Sequence, residues 1–215
     1  MEALEKYIHG ITTQEDNLLK ELDRETHLRV VQPRMISGHI QGRLLEMLTK
    51  MLRPANILEI GTFTGYSTLC FAAGLDDRGH IDTIEIDDEL ETLAGSFFKR
   101  SVHGHKITQH IGSALDIAPQ LGKVYDMVFI DGDKREYPDY YKMIMGDTNG
   151  KSLVKSGSII VADNILWYGK VVQPVPHNDL YTQKIIEFNE MVTQDSRVEN
   201  VVLNLRDGLN IIRVL

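Results

Sequence analysis

Long apolar runs, cysteine and proline are what this sequence has least of. No stretch of its 215 residues reaches the roughly 18 to 20 consecutive apolar positions needed to cross a bilayer. The opening MEALEKYIHG has no basic start followed by an apolar core. No membrane partner is therefore expected, and the cytoplasm is the expected location. The single cysteine, Cys70 in STLCFAAGL, excludes an internal disulfide and fits a reducing compartment. Its apolar neighbours place it in the core rather than at a nucleophilic centre. Hydrophobic residues at 42% and charged residues at 25% exclude disordered and fibrous classes. A net charge of -8 disfavours a large nucleic-acid surface but leaves room for a local basic patch. With no repeat, low-complexity tract or Pro/Gly/Ser-rich linker, residues 1–215 are expected to form one domain.

What is there divides into two parts. Residues 1–52 read as an N-terminal helical annex, with helices over 14–28 and 36–52. In the second, Ile36, Ile40, Leu44, Leu48 and Met51 fall at three- and four-residue steps, predicting one apolar stripe, and Met47 with Met51 is read as core. Residues 53–215 alternate short apolar runs with helical stretches. NILEI precedes a helix over 66–75, HIDTIEI one over 88–101, KITQHI one over 113–121 and YDMVFI one over 136–146; SIIVA precedes a loop and a helix over 181–194. That alternation predicts an α/β fold with a mostly parallel sheet covered on both faces. VENVVLNL and LNIIRVL, separated by Arg206, Asp207 and Gly208, predict an antiparallel hairpin at the sheet edge.

The first apolar run enters EIGTFTGYS, where Gly61 and Gly65 lie between strand and helix, as they would if backbone approached a ligand. Phe63 follows Gly61 by two and no third glycine is present, so the dinucleotide pattern GxGxxG is absent and a nicotinamide dehydrogenase is disfavoured. The phosphate-loop GK[ST] is absent as well. Glu85 ends the second run, where an open parallel sheet offers a carboxylate to a ribose diol. A nucleoside without phosphates fits this pair best. The competing reading is an ordinary strand-to-helix turn and a solvated strand end.

Two further runs end in acids: YDMVFIDGDKREY and SIIVADNILW. Ligands of open α/β sheets bind beyond the carboxyl ends of the strands, so Asp131 and Asp163 are expected to meet there if their strands are neighbours. With Asn164 they offer three oxygens and a charge of about -2, a set suited to a hard divalent cation with positions left for water and substrate. Magnesium fits first, with manganese or calcium as alternatives. Lys134, three residues past Asp131, is the candidate base beside that cation. The competing reading makes these residues loop caps and an exposed lysine. His103 and His105 precede a strand start, the opposite end of the sheet, and read as a solvated loop.

Taken together, ILEIGTFTGYST, TIEID, GSALD, YDMVFIDGDK, VADNILWYGKVV and DGLNIIRV resemble, in order and spacing, the successive motifs of the cation-dependent O-methyltransferases, the family of catechol and caffeoyl-CoA O-methyltransferases. The resemblance covers about residues 33–215. It implies a Rossmann-like S-adenosylmethionine-dependent methyltransferase fold with a seven-stranded sheet. It places Gly61, Phe63 and Ser67 at the methionine end of S-adenosylmethionine, Glu85 on the ribose, and Ser113 and Ala114 near the adenine. Asp131, Asp163 and Asn164 match the metal ligands, Asp131 also bordering the cofactor, and Lys134 matches the lysine beside the substrate hydroxyls. Asp133 matches a second acid of the plant enzymes. Ser37 matches a threonine near the metal, Met35 to Ser37 lead to the cofactor mouth with Met35 at the cofactor, and His39 lies in the same segment. Trp167 and Tyr168 follow the metal motif as candidate walls of the acceptor pocket, with plain loop packing as the other reading, and Asp207 is a further candidate beside substrate or metal. The acidic pair that many plant members carry before Gly-Gln is here Ile40 and Gln41, followed by Gly42 and Arg43.

The expected activity is metal-assisted O-methylation of a small catechol-like aromatic acceptor. Two alternatives stay open: methylation of 5-hydroxyuridine in tRNA, for which Arg34, Arg43, Lys99 and Arg100 could form a patch, and a non-catalytic nucleoside-binding protein. Apolar residues in YIHGI, LLKEL and HLRVV predict a homodimer with the annex at or near its interface.

Overall fold

The five apolar runs that precede helices pair as parallel strands: NILEI and YDMVFI, at the centre, are buried on both faces, whereas ITQHI, at the edge, is only partly buried. In the computed structural model, which describes residues 2–148 and 150–215, they are β1 (Asn56–Ile60), β2 (His80–Glu85), β3 (Ile107–Ile111), β4 (Tyr125–Ile130) and β5 (Val154–Asp163). The sheet is completed by β6 (Val198–Leu203) and β7 (Leu209–Val214), in the order β3-β2-β1-β4-β5-β7-β6. β7 runs antiparallel between β5 and the edge strand β6, so the C-terminal hairpin is present as the turn residues predict. This is a Rossmann-like α/β architecture with a mostly parallel sheet.

Period-two alternation sorts the strand side chains onto two faces. Leu58, Ile60, Val128, Ile130, Ile160, Ala162 and Ile212 pack with α6 (Ala114–Gln120), α7 (Tyr137–Met145) and α8 (Leu180–Gln194). Ile57, Ile81, Met127, Phe129, Val161 and Leu209 pack on the other face with Leu45, Phe71 and Leu75. Those three belong to, or directly follow, α3 (Gly38–Leu52) and α4 (Tyr66–Gly74). α5 (Glu91–Arg100) covers the β3 side through Phe97 and Phe98.

The annex departs from its sequence reading in two respects. An additional helix, α1 (Glu2–Ile11), precedes α2 (Asn17–Arg29). Leu4, Tyr7, Ile8 and Ile11 recur at three- and four-residue steps, a helical stripe that the sequence reading did not take up, and Leu4, Tyr7 and Ile11 stand exposed. In α3 the fully buried positions are Gln41, Gly42, Leu45, Glu46 and Thr49; of the predicted stripe, Ile36 is buried just before the helix, Leu44 and Leu48 pack partly buried against the core, and Met51 is exposed. Met47 and Met51 are 52% and 65% exposed and are not core. Close helix packing is the reason: a Cβ on Gly42 would lie 2.6 Å from Tyr66 and 2.7 Å from the Cys70 sulfur, and one on Gly74 would lie 2.6 Å from Thr49. α3 and α4 approach through these small residues, and that contact turns the Gln41–Leu45–Thr49 face fully inward, leaving Leu44 and Leu48 at its partly buried flank. Cys70 is buried in the core. Among the described residues no helix is long and apolar enough to cross a membrane.

Candidate active site

The chain fills the sheet outward from β1 to β3, then returns to place β4 on the other side of β1, so the two halves diverge at the carboxyl ends of β1 and β4. Such a switch point opens a crevice for ligands. Gly61 and Asp131 face one another across it: the Asp131 N–H donates to the Ile60 carbonyl at 2.8 Å, and a Cβ on Gly61 (φ 98°) would lie 2.4 Å from the Asp131 carbonyl oxygen. Gly61 is thus required by the neighbouring strand. Gly65 (φ 91°) is required by the Phe98 ring, 2.5 Å from where its Cβ would stand.

β4 and β5 are parallel neighbours with Ile130 opposite Ala162, which places Asp131 and Asp163 side by side at their ends. Burial pushes the Asp131 carboxyl up to about 7, the Lys134 ammonium opposes that, and the charge of Asp163 adds to it. Lys134, 8% exposed, donates from Nζ to Asp131 Oδ1 at 2.6 Å and to the Tyr137 hydroxyl at 2.9 Å. The Tyr137 oxygen lies 2.9 Å from the Asp163 carbonyl and 3.1 Å from that of Ile130, tying the lysine to both strand ends. Asp163 Oδ1 accepts from the Asn164 N–H at 2.7 Å and its Oδ2 from Gln41 Nε2. Asn164 takes a left-handed backbone (φ 58°), turning the chain sharply away from the strand end.

These residues fit a hard divalent cation. Two adjacent carboxylates, Asp163 buried and the Asp131 carboxyl raised chiefly by burial and further by the Asp163 charge, are oxygen donors of the kind such a cation takes. No group of three or more His, Cys, Asp or Glu side chains converges among the described residues, so the third donor would be the Asn164 amide. Gln41 Oε1 and Asp207 Oδ2 are buried oxygens without a partner, Gln41 on Asp163 and Asp207 close enough for the Asp163 charge to act on it.

Glu85 ends β2 and accepts from the Phe63 N–H at 2.6 Å through one oxygen and from the Asp87 N–H through the other, leaving lone pairs that a diol could use. Ser67 is buried in the first turn of α4, and Ser113 and Ala114 open α6 after β3. The Ser113 hydroxyl caps no backbone N–H there. Asp133 is committed elsewhere: Arg135 grips both its oxygens, and that hydrogen-bonded guanidinium holds its carboxyl below the usual range.

In the segment that leads into α3, Ser37 is buried while Met35 is exposed. The His39 ring is held by the annex, Nε2 donating to the Thr13 carbonyl at 2.8 Å and Nδ1 lying 3.1 Å from His9 Nδ1. Trp167 stacks on Tyr181 with centroids 5.8 Å apart, and the Arg135 guanidinium also lies over the Tyr181 ring, 5.1 Å from its centroid. Tyr168 is exposed, its backbone N–H donating to Asp207 Oδ1 at 2.6 Å. Burial raises the Asp207 carboxyl.

Three residues escaped the sequence reading. Gln41 was noted only as a departure, yet it reaches Asp163 from α3. Glu59 is fully buried in β1, with Thr68 and Thr83 donating to one oxygen and the other unpartnered; burial pushes its carboxyl up to about 7. A charge inside the apolar run NILEI was the available signal. Arg206, left-handed at φ 52°, donates to the Ile36 carbonyl at 2.7 Å and the Arg34 carbonyl at 3.3 Å, lashing the segment before Ser37 to the β6–β7 turn. Nothing in its local sequence announced that reach.

A family profile described as O-methyltransferase matches residues 9–215. Tapetum-specific methyltransferase 1 of Arabidopsis thaliana is 35% identical over 225 residues, covering 100% of this chain and 94% of the relative. Caffeoyl-CoA O-methyltransferase of Petroselinum crispum is 33% identical, covering 99% and 90%. Among solved structures, the O-methyltransferase TomG of Streptomyces achromogenes, in complex with S-adenosylmethionine, superposes with a TM-score of 0.89 at 30% identity, covering 99% and 96% of the chains. An O-methyltransferase from Bacillus cereus, in complex with S-adenosylhomocysteine, gives 0.90 at 27%, covering 99% and 97%.

Proposed function

We propose, because the chain belongs to the O-methyltransferase family and is an S-adenosylmethionine-dependent O-methyltransferase of the caffeoyl-CoA type, that it methylates one hydroxyl of a small vicinal dihydroxy aromatic acceptor with the help of a divalent cation, magnesium first. The observation that carries this reading is the pairing of Asp131 and Asp163 at adjacent strand ends with the Lys134 Nζ 2.6 Å from Asp131. Asp131, Asp163 and Asn164 would hold the cation; Glu85, Gly61, Phe63, Ser67, Ser113 and Ala114 would surround the cofactor.

A free phenol is scarcely ionised at neutral pH. The cation supplies the charge that favours its ionised form, and the cofactor supplies an electrophilic methyl group. The chain does the rest. Hydrogen bonds to Asp131 and Tyr137 fix Lys134 Nζ at the strand ends, where the lysine would take up the proton that leaves the acceptor. With both hydroxyls of the acceptor held at Asp131, Asp163 and Asn164, one oxygen would be presented to the cofactor's methyl group, the O–C bond forming as the C–S bond breaks and the proton passing to Lys134. Trp167, stacked on Tyr181, offers an aromatic flank to the acceptor.

Two features support a small acceptor over tRNA. Arg43 is paired with Glu46 and Arg100 with Glu21, which removes two of the four cations a nucleic-acid patch would use. The net charge of -8 opposes polyanion binding. A homodimer in the cytoplasm, each chain one domain over 1–215, completes the reading, supported by the exposed Leu4, Tyr7 and Ile11 of α1. A methyl-transfer assay across catechols, caffeoyl esters, flavonoids and tRNA carrying 5-hydroxyuridine tests it. Transfer to catechols is expected; transfer to tRNA alone would overturn it.

A further inference from the structure

Gln41 is fully buried in the first turns of α3, 122 residues from the aspartate it touches. A buried amide is costly unless its polar atoms find partners. Here Nε2 has one, Asp163 Oδ2, and Oε1 has none. Packing fixes the amide in this place, because Gly42, the next residue, lets α3 approach so closely that any side chain there would strike Tyr66 and Cys70. The other oxygen of Asp163 is already taken by the Asn164 N–H, so Gln41 completes the pair of donors that fixes the carboxylate plane.

We propose that Gln41 is a positioning residue of the acceptor end of the site: its amide N–H orients Asp163, and its unpartnered carbonyl oxygen accepts a hydrogen bond from the hydroxyl or water that arrives with the ligand. This rests on the reading of Asp163 as a cation ligand. A neutral amide suits the task, since it donates to the carboxylate without bringing a third negative charge against Asp131 and Asp163. A side chain that only filled space would need no amide, and an apolar residue of similar volume would serve better than one with a stranded oxygen.

The test is manganese binding, read by calorimetry or electron paramagnetic resonance, on the full chain and on Gln41→Met, which keeps the volume and removes both polar atoms. Partners that orient a metal ligand are worth about 10- to 100-fold in affinity, so manganese affinity should fall by that factor while S-adenosylmethionine affinity stays within about twofold. The acceptor KM should rise with it. Gln41→Leu is the second variant, and cofactor binding certifies the fold of either. If the parent protein binds manganese and a folded variant binds it equally well, Gln41 only packs and the inference fails alone. If the parent protein binds no manganese, the cation reading fails and takes the inference with it.

Discussion

Replacing Glu59 with glutamine removes a carboxylate that the fold keeps out of water. Its carboxyl sits at about 7, against an ordinary value of 4.5, chiefly through burial, with hydrogen bonds from Thr68 and Thr83 recovering part of the loss. At about 1.36 kcal/mol per pH unit, that displacement corresponds to about 3 kcal/mol between the protonated and ionised forms. The acid's folded value is raised, so between pH 4.5 and 7 the folded chain holds more protons than the unfolded one. Stability from this group therefore falls as pH rises through that window, and the loss is complete above it. Glutamine keeps an oxygen for both threonines and stays neutral throughout. Urea unfolding of both proteins at pH 5, 6, 7 and 8, followed by the fluorescence of the single tryptophan, Trp167, isolates the effect, because Asp131 titrates in both and largely cancels in the difference. The two should be close in stability at pH 5, and Glu59→Gln should be the more stable by up to about 3 kcal/mol at pH 8. A difference that does not change with pH would refute the burial argument.

Lys134→Ala should lose most turnover at neutral pH with cofactor binding nearly unchanged, and recover part of it at high pH where the acceptor ionises unaided; parent-like activity at pH 7 would remove the lysine from the proton path. Glu85→Ala should weaken S-adenosylmethionine binding by about 1.5 to 3 kcal/mol, the range for hydrogen bonds to a charged group, measured by calorimetry; an unchanged dissociation constant would take Glu85 out of the site. Arg206→Gly relieves a left-handed backbone while cutting the two bonds to Arg34 and Ile36. It should raise the acceptor KM and speed amide hydrogen exchange at residues 34–37 with cofactor affinity intact, whereas unchanged exchange there would show that Arg206 does not hold the segment.

The sheet could be read from the sequence because strand burial is a local property: NILEI, YDMVFI and SIIVA are apolar on both faces, and the acids that close two of them mark the ligand end. β5 nevertheless starts at Val154, before the run SIIVA, since Val154 pairs with Tyr125 across a register shift. The orientation of α3 was not legible, because Gly42 and Gly74 decide it by how closely two helices approach, and glycine carries no hydrophobic signal. The same distinction divides the site. Asp131, Lys134, Asp163 and Asn164 lie within a few residues of a strand end and could be placed by topology alone. Gln41 and Arg206 act across 122 and 170 residues, through contacts that exist only after α3 and the β6–β7 turn have docked. Glu59 stood in plain view inside an apolar strand, and its cost was the clue.

The central claim is that Asp131, Asp163 and Asn164 hold a divalent cation that the methyl transfer requires. Its most direct test follows product from a catechol acceptor and S-adenosylmethionine for the parent protein and Asp163→Ala, each in chelated buffer and after magnesium is returned. The parent should fall silent in chelator and recover with magnesium, while Asp163→Ala stays silent in both yet binds cofactor normally. Turnover by the parent protein at an equal rate with and without chelator, or full activity of Asp163→Ala, would contradict the account.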